Sequence, residues 1–98
     1  MTVGHIATIK VKEGKEKDFE NLFLDFAPHV LAEQGYIRYD LCKMVDEPGT
    51  YCVIHMYETV ETREAHQNTE HGRRFGAELE PLLAGNLGGI GRRSFAVL

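Results

Sequence analysis

Two neighbouring stretches, Tyr36 to Val45 and Tyr51 to Glu58, are rich in aromatic and β-branched residues and carry apolar side chains on both faces. In the second, Tyr51, Val53 and Tyr57 share one phase, while Cys52, Ile54 and Met56 share the other. A strand that is apolar on both sides is covered on both sides. The chain has 98 residues. That length predicts one domain, residues 1–98, with a modest buried fraction. Helices of the same chain can cover one face of the sheet. A second copy is the simplest cover for the other, so the expectation is a homodimer.

The remaining segments fall around this hairpin. Val3 to Val11 carries Val3, Ile6, Ile9 and Val11 among small and polar residues and reads as a first strand. Lys12-Glu13-Gly14-Lys15 turns the chain. From Asp18 to Gln34 the period becomes helical, with Phe19, Leu22, Phe23, Phe26, Ala27 and Val30 in one wide stripe. Pro28 removes a backbone donor and predicts a kink, and Gly35 predicts the helix stop. Asp46-Glu47-Pro48-Gly49-Thr50 is the turn between the paired strands. Thr59 suits the cap of a short helix to about Asn68. Thr69 or Asn68 suits the cap of another from about Glu70 to Leu83, with Phe75, Leu79, Leu82 and Leu83 inward and Gly85 as its end. Ile90 to Val97 is a last strand, its start loosened by Gly88, Gly89 and Gly91. The order βαββααβ is an α+β, ferredoxin-like sandwich with an antiparallel sheet.

The formal net charge is −4. A mildly acidic surface repels phosphate backbones, which argues against nucleic acid as a partner. No apolar run approaches the ~20 residues of a membrane span. Met1-Thr2-Val3-Gly4-His5 has neither the basic nor the apolar region of a signal peptide, so the expected location is the cytoplasm. There Cys42 and Cys52 are expected as two small buried thiols in strands, with a disulfide disfavoured.

Three stretches, Gly35-Tyr36-Ile37-Arg38-Tyr39-Asp40-Leu41, Asp46-Glu47-Pro48-Gly49-Thr50-Tyr51 and Ala65-His66-Gln67-Asn68-Thr69-Glu70-His71, are joined by the distal Pro81-Leu82-Leu83-Ala84-Gly85. Together they resemble the antibiotic biosynthesis monooxygenase family over nearly the whole chain. The resemblance implies a ferredoxin-like protomer whose sheet packs face to face with a twofold mate, giving a dimeric α/β barrel. It also implies a pocket between sheet and helices. Several members oxygenate quinols or anthrones with neither metal nor flavin. Others degrade haem, or isomerise a phosphorylated signalling sugar derivative. Many members carry Trp where Tyr57 stands and Glu where His55 stands, and the haem-degrading branch carries an Asn near Ala7. Without that Asn and that Trp, the chain does not fit haem degradation.

Five histidines are present: His5, His29, His55, His66 and His71. An imidazole near its unperturbed pKa of ~6.5 gives or takes a proton at neutral pH. His71 lies one turn before Phe75, on the core side of its helix, and His66 ends the preceding helix. These two are the candidate catalytic residues. The helix-start dipole disfavours a cation at His71 and the helix-end dipole favours one at His66, so His71 is the expected base. The alternative role of each is to tie down the break between the helices by bonding backbone carbonyls. Tyr51, His55 and Tyr57 alternate on one face of the third strand, where tyrosines suit a phenolic substrate or serve as core residues with hydroxyls at the rim. Phe23 and Phe75 complete the expected substrate-binding set. Arg38 and Asp40 suggest an ion pair or an intersubunit contact.

His55, His66 and His71 supply enough nitrogens for a metal, but their spacing matches no metal motif, so no metal is expected. Gly85-Asn86-Leu87-Gly88-Gly89-Ile90-Gly91 follows a helix and precedes a strand, the reverse of a phosphate loop. Of the neighbours Arg92 and Arg93 one must face inward, to meet an anionic substrate or to serve as an edge or interface charge. Neither cysteine has an evident base, and Gly-x-Ser-x-Gly is missing. The leading expectation is therefore a cofactor-independent monooxygenase of a small phenolic or quinol-like substrate. The runner-up is an isomerase or lyase of a small oxygenated or phosphorylated metabolite, with Arg73, Arg74, Arg92 or Arg93 meeting the anion. A non-catalytic dimer that binds small molecules is the third.

Overall fold

The computed structural model describes residues 2–85 and 91–98. The order is β1 (Val3–Lys10), α1 (Glu16–Leu31), β2 (Tyr36–Lys43), β3 (Thr50–Tyr57), α2 (Val60–Gln67), α3 (Glu70–Leu79), a 3-10 turn (Glu80–Leu82) and β4 (Gly91–Ala96). The four strands form one antiparallel sheet in the order β2-β3-β1-β4. This is the ferredoxin-like α+β arrangement expected from the element order. No helix among the described residues is long and apolar enough to cross a membrane.

Local chemistry moves several boundaries. α1 starts at Glu16, with Glu16 and Asp18 in its first turn, where carboxylates favour the positive helix end. It runs through Pro28 to Leu31 and stops short of Gly35. Gly35 serves another purpose. Its φ is +89°, its carbonyl accepts from the Glu58 N–H at 2.8 Å, and a Cβ there would stand 2.6 Å from Thr62 Oγ1. The α1–β2 turn thus approaches α2 too closely for any other residue. α3 ends at Leu79 rather than Leu83, because Pro81 has no N–H to continue the helix and the chain tightens into the 3-10 turn. Leu83 then bridges Val11. The expected strand start at Ile90 and the glycines at 88 and 89 lie outside the described residues.

The core is the inner sheet face under α1 and α3. Phe19, Phe23, Phe26 and Val30 of α1 pack against Ala7, Ile9, Tyr51 and Val53, all buried. The outer sheet face carries Ile6, Cys52, Ile54, Met56 and Phe95, partly buried or exposed. Cys42 and Cys52 stand opposite each other on this outer face as free, half-buried thiols, not as core residues. Arg38 and Asp40 form an exposed ion pair there.

Phe19 is fully buried and packs on Tyr51 with ring centroids 4.7 Å apart. Phe19→Ala should lower unfolding free energy by ~3–5 kcal/mol, the usual cost of truncating a core phenylalanine. Val45→Ala, at a position 95% exposed, should stay within ~0.5 kcal/mol. Urea unfolding midpoints measure both.

Candidate active site

One phase of the sheet makes the floor. With β1 and β3 in register, His5, Ala7 and Ile9 stand opposite His55, Val53 and Tyr51. Arg92 of β4 stands opposite Ala7, and Tyr39 of β2 opposite His55, which brings both to the same face. A bulge between Tyr36 and Arg38 lets Tyr36 and Tyr39, three residues apart, both turn inward.

The helices make the roof. Phe26 stacks on Phe75 with centroids 4.2 Å apart, and Phe23 stacks on Tyr39 at 4.7 Å. α2 adds Arg63, His66 and Gln67, and α3 adds Gly76 and Leu79. Between floor and roof lies a cavity of about 310 Å³, within the range of small-molecule sites. A Cβ on Gly76 would meet nothing within 4 Å, so this glycine leaves width in the wall.

The break between α2 and α3 is held by Thr69. Its hydroxyl donates to the His66 carbonyl at 2.7 Å and accepts from the Gly72 N–H at 3.1 Å. A Cβ on Gly72 would stand 2.8 Å from that hydroxyl and 2.9 Å from the His66 oxygen, so the joint requires glycine. It sets His66 and His71 on either side of Glu33, which follows α1. The Glu33 carboxylate accepts from His66 Nδ1 at 2.9 Å and from His71 Nε2 at 2.8 Å. A neutral His66 that donates from Nδ1 keeps a lone pair on Nε2. Neither ring is bonded to a backbone carbonyl in this arrangement.

His5 and His55 form a second unit. Their rings stack with centroids 3.9 Å apart. The Tyr57 hydroxyl is hydrogen-bonded to His5 Nδ1 at 3.2 Å, and the Tyr36 hydroxyl to His55 Nδ1 at 3.3 Å. Burial, followed by the charge of Arg63, pulls His5 down to about 4; burial and the adjacent His5 pull His55 to about 2. Both rings are uncharged at neutral pH.

The expected residues therefore separate. His55, His66, Phe23 and Phe75 line the cavity. His71 does not. It lines a smaller neighbouring cavity with His29 and Arg74, so the expectation of His71 as the base facing the pocket is corrected. Tyr51 is fully buried outside the cavity lining, and its hydroxyl donates to Glu20 at 2.5 Å. That bond is the chief reason the Glu20 carboxyl lies below its ordinary range. Tyr57 does not line the cavity; its hydroxyl bonds His5 and its ring packs beside Tyr36. Glu33, His5, Tyr39 and Arg63 were not singled out from the sequence. The strand alternation places His5 in phase with Ala7 and Ile9, a signal that could have found it. Nothing local marks Glu33. For a metal, the fold gathers Glu33, His66 and His71, with ligand atoms within 4.8 Å of one another, rather than the trio containing His55. Two imidazoles and a carboxylate suit a divalent transition metal.

Protonating the stacked pair opposes folding. Both histidines titrate near ~6.5 in an unfolded chain and lower in the folded one. The unfolded state therefore binds more protons below pH ~6.5, and stability that is full above that pH falls as the pH drops toward the folded values. Tm should decline from about pH 7 to about pH 5, less steeply in a His5→Phe, His55→Phe double variant. A level or rising Tm would contradict an uncharged pair.

The sequence profile of the antibiotic biosynthesis monooxygenase family matches residues 2–78. YcnE of Bacillus subtilis, a presumed monooxygenase, is 31% identical over 81 residues, 83% of this chain and 85% of YcnE. YczJ of the same organism, an uncharacterised protein, is 36% identical over 59 residues; the match spans 60% of this chain and 62% of YczJ, under two thirds of it. A presumed antibiotic biosynthesis monooxygenase from Caulobacter crescentus superposes with a TM-score of 0.92 at 30% identity, covering 99% of this chain and 90% of that one. The chain belongs to the antibiotic biosynthesis monooxygenase family.

Proposed function

We propose that the chain is a cofactor-independent monooxygenase of a small phenolic or quinol-like substrate, working as a homodimer, with His66 as general base. The carrying observation is the pairing of Glu33 with His66 Nδ1 on the wall of an aromatic-lined cavity. A carboxylate behind an imidazole fixes its tautomer and stabilises the imidazolium formed on proton transfer. His66 would take the substrate's hydroxyl proton. The electron-rich anion then reduces dioxygen itself. A C–O bond forms at a ring carbon, and the O–O bond breaks as the other oxygen atom leaves as water with two hydrogens from the substrate. The four electrons dioxygen takes up all come from the substrate, so a quinol ends as the hydroxyquinone. Phe23, Phe26 and Phe75 would hold the ring away from bulk water. The uncharged His5 and His55 suit hydrogen bonds to substrate oxygens without trapping the anion as an ion pair.

Oxygen uptake with 1,4-dihydroxynaphthalene tests the reading. Uptake above autoxidation should reach one dioxygen per quinol. His66→Ala should slow it by ~10²-fold, the scale of a lost general base, whereas Tyr51→Phe should leave it near wild type. Absence of enzyme-dependent uptake, with proton exchange at a carbon of a sugar-like metabolite instead, would favour the isomerase.

The dimer rests on Ile6, Ile54, Met56 and Phe95, which lie on the sheet face that no helix among the described residues covers. Light scattering should give twice the monomer mass, and Ile54→Asp should shift the population to monomer, since an unpaired buried charge is costly at an interface. A wild-type monomer at micromolar concentration would refute it.

A further inference from the structure

The chain has 15 acidic residues and a formal net charge of −4, yet no Asp or Glu lines the cavity of about 310 Å³. Arg63 and Arg92 do. The ion pairs among the described residues involve Lys15, Arg38, Lys43, His66 and His71 and leave both of these arginines out. They arrive from different layers. Arg63 precedes His66 by three residues on α2, so the two share a helix face. Arg92 comes up from β4 beside Ala7. Burial and the charge of Arg63 together press the Arg92 guanidinium below its ordinary range. Two cations that converge on an apolar cavity without a carboxylate repel each other, and a bound anion reverses that cost.

We propose that Arg63 and Arg92 form an anion subsite beside the His5–His55 pair, so that the substrate is an aromatic phenol or quinol bearing a carboxylate. The assignment rests on the cavity being the substrate site and narrows the substrate class given above. Each guanidinium offers paired N–H donors that match a carboxylate. The aromatic body lies among Phe23, Phe26 and Phe75, and the hydroxyl to be deprotonated faces His66. A neutral quinol fills the same apolar walls but leaves both cations unmatched.

Calorimetric titration with 2-naphthoate and 2-naphthol, which share a ring system and need no turnover, reads the subsite alone. Naphthoate should bind at least ~10-fold tighter than naphthol, the scale of charge-assisted hydrogen bonds. An Arg63→Gln, Arg92→Gln double variant, checked for folding by circular dichroism, should lose that preference and keep naphthol affinity within ~2-fold. In the wild-type chain, naphthoate should also raise the His5 titration midpoint seen by NMR, because its carboxylate offsets the arginine charges; naphthol should not. Naphthoate binding no tighter than naphthol, a preference that survives in the double variant, or an unmoved His5 midpoint would each overturn the subsite. A naphthoate preference without oxygen uptake by any quinol would keep the subsite and refute the monooxygenase; uptake without the preference would do the reverse.

Discussion

The pairing of β1 with β3 is the constraint on which everything else depends. His5 faces His55, Ala7 faces Val53 and Ile9 faces Tyr51. A slip of one residue would turn the histidines and the core aliphatics outward together and bring Gly4, Ile6 and Thr8 beneath the helices. The register is protected by close packing on the other face. A side chain on Gly4 would collide with the His55 carbonyl and the Phe95 ring. The same register carries Arg92 inward, because β4 is read off β1.

Above the sheet, Glu33 performs the equivalent task for the helices. One carboxylate after α1 receives a ring nitrogen from the end of α2 and another from the start of α3. His71 is thereby an anchor for the carboxylate that orients His66. The division explains why two histidines only five residues apart are unequal. One borders the larger cavity, and the other closes a smaller one of about 130 Å³ behind it.

The fold was readable because its signals are local and periodic. The stripe from Phe19 to Val30, the Thr59 and Thr69 caps and the Glu47–Gly49 turn each announce an element within a few residues. The site was half readable. The phase of His66, His55, Phe23 and Phe75 on a helix or strand points them inward, and all four line the cavity. Glu33 escaped, since it lies past the end of α1, where periodicity no longer applies, and its partners are more than thirty residues away. Tyr51 was misplaced for a related reason: alternation gives the face of a strand but not the position along it, and Tyr51 lies at the end of β3 that meets Glu20 rather than the cavity. The helix ends say nothing of the further contact that the fold adds, in which one carboxylate meets both the His66 and the His71 ring.

The two glycines of α3 impose opposite constraints on how such a protein can diverge. Position 72 is closed, since any side chain would push the Thr69 joint apart. Position 76 is open, with empty space where a side chain would be. A methyl or isopropyl group at position 76 would shorten the cavity from within while leaving the backbone joint intact. The room in the cavity is therefore adjustable at a single codon, independently of the Glu33–His66 pair.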